Sequence, residues 1–102
     1  MEQKELRRIA REYAEDLEEV VKNGTLEEYL EDILDLKFII DAHGDIQGVE
    51  LAVTLGGPNI YINTYRNQVE GYWGGREDWD IDNNIANAVT DYFSEIYNFR
   101  IR

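Results

Sequence analysis

The chain has 102 residues, no cysteine, 43% hydrophobic residues, and 22 Asp and Glu against 10 Lys and Arg, a formal charge of −12. That length fits one domain, residues 1–102, with one core, and two Trp, seven Tyr and three Phe are far more aromatic surface than a disordered acidic tail carries. Without Cys there is no disulfide, thiolate or cysteine-zinc chemistry; the charge disfavours direct binding to nucleic acid; and no apolar run is long enough for a secretory or membrane-spanning segment, so a cytoplasmic protein of a host bacterial cell with no membrane partner is expected.

From Gln3 to Val21 the apolar positions Leu6, Ile9, Ala10, Tyr13, Ala14, Leu17, Val20 and Val21 recur at steps of three and four, which predicts an amphipathic helix. Its first turns are basic (Lys4, Arg7, Arg8, Arg11) and its later turns acidic, the reverse of what the helix dipole favours. Pairs such as Arg8 with Glu12 offset this by only a few tenths of a kcal/mol each. Asn23-Gly24 supplies a left-handed stop, and Thr25-Leu26-Glu27-Glu28 reads as a capping box opening a second short helix to about Leu34. Leu26, Tyr29, Leu30, Ile33 and Leu34 form its apolar face.

After Leu34 the period drops to two. The runs 36–40, 49–55, 60–64 and 69–73 are β-branched or aromatic, and the turns His43-Gly44-Asp45, Gly56-Gly57-Pro58-Asn59 and Arg66-Asn67 are short enough to join antiparallel neighbours. A polar connection from Gly74 to Asp80 leads to a last helix near Asp82 to Tyr97, capped by Asp80 or Asp82, with Ile85, Val89, Tyr92, Phe93 and Ile96 inward. The expected architecture is α+β and two-layered, α-α-β-β-β-β-α, a four-stranded antiparallel meander covered by the first and last helices. The uncovered sheet face would show Glu50, Ala52, Thr54, Tyr61, Asn63, Tyr65 and Tyr72, a tyrosine-rich docking surface.

No motif for catalysis emerges. His43 is the only histidine and sits in a turn, so neither a His-dependent triad nor a two-His metal site can be assembled. Carboxylate pairs abound, but an acid/base pair needs one carboxylate in an apolar pocket, and these lie on the polar side of an amphipathic pattern. The stretch Glu77 to Asn83 lacks the glycine and terminal Glu of a calcium loop, and Gly56-Gly57 and Gly74-Gly75 lack the Lys-Ser/Thr of a phosphate loop. No catalytic residue, metal ligand or cofactor is assigned, and the chain is not expected to be an enzyme. Trp73 and Trp79 flank Gly74-Gly75; Trp79 either anchors an interface there or packs under the last helix.

The strongest signal is charge. Glu12, Glu15, Asp16, Glu18, Glu19, Glu27, Glu28, Glu31, Asp32 and Asp35 face Lys22 alone, so this stretch carries nine of the twelve net negative charges. Helical carboxylates three or four apart lie ~5–6 Å from one another, comparable to the few-Å charge spacing along duplex DNA. Two consecutive helices of this kind can imitate a phosphate strand. The implied partner is a basic nucleic-acid-binding protein, met by fast, salt-sensitive association and then locked through Tyr61, Tyr65 and Trp79. The plainer alternative is a solvated face that keeps the chain soluble.

In size, acidity, lack of Cys and α/β make-up the chain resembles the small phage-encoded inhibitors of bacterial defence, anti-CRISPR proteins above all, several of which are nucleic-acid mimics. The stretch Val53-Thr-Leu-Gly-Gly-Pro-Asn-Ile-Tyr-Ile-Asn-Thr64 with Val69-Glu-Gly-Tyr-Trp-Gly74 is also similar to small proteins carried by phages and mobile elements of Gram-positive bacteria. The resemblance implies a Cas effector as target, Cas9 or the PAM-reading part of a multisubunit complex. Anti-CRISPR proteins share no common motif, so it transfers no residue role. The surface expected to carry binding is Glu12, Glu15, Asp16, Glu19, Glu27, Glu28, Glu31, Asp32 and Asp35, with Tyr61, Tyr65 and Trp79. Two readings stay open beside it: an immunity-type protein whose acidic face binds another basic nuclease, and a structural homodimer paired through the tyrosine face. Monomer and homodimer are both compatible with the pattern.

Overall fold

The computed structural model describes residues 2–100. Their order is α1 (Gln3–Asn23), α2 (Leu26–Leu30), β1 (Asp35–Ile40), β2 (Ile46–Thr54), β3 (Asn59–Asn63), β4 (Gln68–Tyr72), β5 (Arg76–Asp80) and α3 (Asn83–Arg100). This is the α+β, two-layer arrangement that the change of period from about 3.6 to two implies.

The spacing of three and four buries Leu6, Ala10, Ala14 and Leu17 along one stripe of α1. The helix stops at Gly24, whose φ of 73° is the left-handed conformation that a Cβ disfavours. There the N–H groups of Gly24 and Thr25 donate to the carbonyls of Val21 and Val20, satisfying two helix-end acceptors. α2 is shorter than its sequence suggests. It ends at Leu30, and Thr25 makes no side-chain capping bond because its φ of −109° and ψ of 22° lie outside the extended region a capping residue adopts. Glu31 and Asp32 form a turn and Asp35 already belongs to β1. Tertiary pairing ends the helix early: the Leu34 N–H donates to the Ala52 carbonyl at 2.8 Å, in line with the sheet ladder.

The strands pair antiparallel in the order β1-β2-β3-β4-β5. The sheet therefore has five strands where four are expected, because the segment read as a polar connection is the edge strand β5, pairing Val69 with Trp79 and Gly71 with Glu77. Its sequence, Arg-Glu-Asp-Trp-Asp, lacks apolar alternation, and an edge strand does not require it; charge at an edge also discourages pairing with other chains.

Register sorts the side chains. Leu36, Phe38, Val49, Leu51, Ile60, Ile62, Val69 and Trp79 share the inner face, and Lys37, Glu50, Ala52, Tyr61, Asn63, Glu70, Tyr72 and Asp78 the outer one. Both long helices lie on the inner face, α1 across β4 and β5 and α3 across β2, so the core forms between Leu6, Leu17, Val89 and Phe93 and the apolar sheet row. Thr54 falls at a bulge in β2, its hydroxyl donating to the Pro58 carbonyl at 2.6 Å. α3 begins after Asp82, whose carbonyl accepts from the Ile85 and Ala86 N–H groups, so Asp82 holds the N-cap position while Asp80 ends β5. On the outer face Tyr65 crosses β2 at Gly48, where a Cβ would stand 2.8 Å from the Tyr65 backbone nitrogen.

Candidate functional site

Glu12, Glu15, Asp16 and Glu19 are exposed and, by their three- and four-residue spacing, occupy the side of α1 opposite Leu6, Ala10, Ala14 and Leu17. Glu27, Glu28, Glu31, Asp32 and Asp35 continue this exposed series through α2, the turn and the first residue of β1. The carboxylates thus follow one long helix, a five-residue helix and a turn, where the sequence suggests a short second helix running on to about Leu34. Asp35 opens β1 on the outer face, in one cross-strand row with Ala52, Tyr61, Glu70 and Asp78.

Few cations oppose them. Arg8 meets Glu12 at 2.8 Å, Arg11 meets Glu15 at 3.4 Å and Lys22 meets Glu18 at 2.6 Å, all at i,i+4 spacing on the surface of α1. Pairs this exposed contribute roughly 0–1 kcal/mol each. Asp16, Glu19, Glu27, Glu28, Glu31, Asp32 and Asp35 form no ion pair among the described residues. The field also wraps around the flank of α1, where Glu15, Glu18, Asp80 and Asp82 line a cavity of about 70 Å³ with Ala14 and Ile85. The Glu18 hydrogen bond and charge, and more weakly Asp82, hold the Lys22 ammonium above its ordinary range.

Of the aromatic residues expected to lock the complex, Tyr61 and Tyr65 lie apart from the α1 carboxylates, whereas Trp79 lines the cavity that Glu15 and Glu18 share. Tyr61 meets the Tyr72 ring edge-on at 5.8 Å on the outer face, and Tyr65 is 58% exposed above Gly48. Both are on the side of the sheet away from α1, so they do not form one surface with the α1 carboxylates. Trp79 is half-buried on the inner side of β5, with the Arg7 and Arg11 guanidinium carbons 5.2 and 5.6 Å from its ring centre. It packs against α1, and its remaining surface lines cavities on that flank. Beside it Lys4, Arg7, Arg8 and Arg11, with Glu2 and Glu5, line a cavity of about 420 Å³. Two cations of the basic start of α1, Arg7 and Arg11, have this packing role over an indole.

Glu70 is a residue the sequence pattern does not single out. It is 4% exposed although no helix covers its face, and its carboxylate accepts from Gln68 Nε2 at 2.5 Å, Arg76 Nη2 at 3.2 Å, Tyr72 Oη at 3.4 Å and Asn63 Nδ2 at 3.5 Å. Arg76 also donates to Asp78 at 2.9 Å and lies 5.6 Å from the Tyr72 ring. Burial, and next the Glu70 charge, push the Tyr72 phenol upward. The alternation Gln68, Glu70, Tyr72 along β4 is the one sequence signal for this network. Chemically it is a satisfied, hydrogen-bonded ion pair that fixes two tyrosine rings.

Between α1 and α2, Tyr13, Tyr29, Asp32, Ile33 and Val53 line a cavity of about 210 Å³. Tyr29 Oη is buried without a hydrogen-bond partner, and burial, followed by the Asp16 charge, pushes its phenol up to about 12. Among the described residues, no three His, Asp or Glu side chains gather as metal ligands do, and no helix is long and apolar enough to cross a membrane. Compared with known protein families, curated proteins and solved structures, the chain matches none.

Proposed function

We propose that the chain is a non-enzymatic inhibitor that occupies the basic nucleic-acid groove of a partner, a Cas effector in the reading the anti-CRISPR resemblance suggests. One observation carries this reading: Asp16, Glu19, Glu27, Glu28, Glu31, Asp32 and Asp35 are exposed, concentrated within twenty residues of chain and without an ion pair among the described residues. Charge needed only for solubility works as well when dispersed, yet residues 1–11 of this chain are net positive. A concentrated negative face instead engages Lys and Arg that would otherwise hold phosphates. It raises association rates by roughly 10–10³, and the complex it forms excludes DNA from the same groove.

A competition assay tests this: purified protein against labelled duplex DNA on a panel of Cas effector complexes, at low and high salt. The expected result is displacement of DNA from one effector at low salt, weakened at high salt, and weaker by at least ~100-fold for a variant carrying Glu19→Lys, Glu28→Lys and Glu31→Lys. Unchanged displacement by that variant, or displacement from no effector, overturns the proposal. Tight, salt-sensitive binding to another basic nuclease instead favours the immunity-type reading.

A further inference from the structure

We infer that the cavity between α1 and α2 receives one arginine side chain of the basic partner. At about 210 Å³ it lies below the ~300–1,000 Å³ of small-molecule sites and has the scale of a single side chain. It is lined by two tyrosines, Tyr13 and Tyr29, with Ile33 and Val53, residue types that suit a planar guanidinium and the methylene stem behind it. Asp32 lines the same cavity, and Asp16 is near enough to act on the Tyr29 phenol; neither forms an ion pair among the described residues. Aromatic faces with unpaired carboxylates form a cation site, and the surrounding field of α1 and α2 has the sign that attracts one.

Tyr29 Oη argues for a donor-rich occupant. It is buried without a hydrogen-bond partner among the described residues, so a small ring movement that opens it to a guanidinium N–H in the cavity would give it the partner it lacks. Arginine meets these demands better than lysine, because its flat, weakly hydrated fork stacks on rings while still offering five N–H groups. This inference rests on the proposed function for the existence of a basic partner, and it adds the residue that the acidic face would guide inward.

The test uses the full chain and blocked amino acids as probes, Nα-acetyl-arginine methylamide against its neutral isostere Nα-acetyl-citrulline methylamide, followed by NMR. Saturable shifts centred on Tyr13, Tyr29, Ile33 and Val53, with a dissociation constant on the order of 1–10 mM, are expected for arginine. Citrulline should bind at least ~5-fold more weakly, and Asp32→Asn and Tyr13→Leu should each weaken arginine binding by about 3-fold or more. Equal binding of the two probes, or shifts spread evenly over Glu12, Glu19, Glu27 and Glu28, overturns the inference. The two proposals fail separately: a protein that displaces DNA but shows no arginine site loses only the cavity, and one with the arginine site that displaces no DNA loses only the Cas target.

Discussion

Tyr29 and Glu70 show how little residue type says about environment. Glu70, on a sheet face with no covering layer, is more buried than Tyr29, which belongs to the apolar stripe of α2 yet has a hydroxyl with nothing to bond. The consequence for Tyr29 is a pH dependence with a definite sign. Its phenol ionises near 10.0 in the unfolded chain and at about 12 in the fold. Below pH 10 both states keep the proton and Tyr29 adds no slope. As pH rises beyond 10 the unfolded state loses its proton first, so stability falls through pH 12 and levels off above it, by about 3 kcal/mol in all, of which about 2 kcal/mol is lost by pH 12. Other tyrosines and the lysines titrate in the same range, so the useful quantity is the difference between the natural chain and Tyr29→Phe in urea denaturation. Near pH 9 the variant should match or exceed the parent by up to about 1 kcal/mol, since it removes an unpartnered hydroxyl, and near pH 12 its lead should grow by about 2 kcal/mol. A constant difference across that range would mean that the phenol is solvated.

At the scale of elements, α1, α3 and the first four strands were legible because each repeats its apolar spacing over several turns or pairs. The end of α2 was not, since Ile33 and Leu34 keep the helical spacing while the Leu34 N–H is already engaged by Ala52. The Thr25 hydroxyl supplies a test of that difference. An N-capping side chain is ordinarily worth about 1 kcal/mol, but Thr25 makes no capping bond, so Thr25→Ala should cost less than ~0.5 kcal/mol in chemical denaturation. A loss near 1 kcal/mol would restore the capping box that the sequence suggests. β5 escaped notice for a different reason: its charged residues resemble a loop, and only pairing with β4 makes them a strand. Contacts between residues far apart in sequence are equally silent, which is why Trp79 beneath Arg7 and Arg11 could not be read from spacing; the donors around Glu70 are near in sequence, but only the turn to β5 brings Arg76 onto it. Exposure of the carboxylates, by contrast, followed directly from the amphipathic period of α1.

For the molecule as a whole, the net charge of −12 is a stability problem as well as a recognition surface. Like charges on α1, α2 and the following turn repel in the folded state more than in the expanded chain, and salt screens this over a Debye length of ~30 Å at 0.01 M but only ~3 Å at 1 M. Reversing Glu19, Glu28 and Glu31 to Lys brings the net charge halfway to zero. None of the three has an ion pair to lose among the described residues, so the variant should be more stable than its parent at low salt, by about 1 kcal/mol, and equal to it near 1 M salt. This separates the two uses of the acidic face. If the charges serve only solubility, the reversed protein gains stability, loses solubility and gives up no binding, because there is none. If they serve recognition, thermal or urea stability rises at low salt while displacement of DNA from the effector collapses, so fold and function respond to the same three residues in opposite directions. A variant that loses stability at low salt would instead show that these carboxylates hold the fold together.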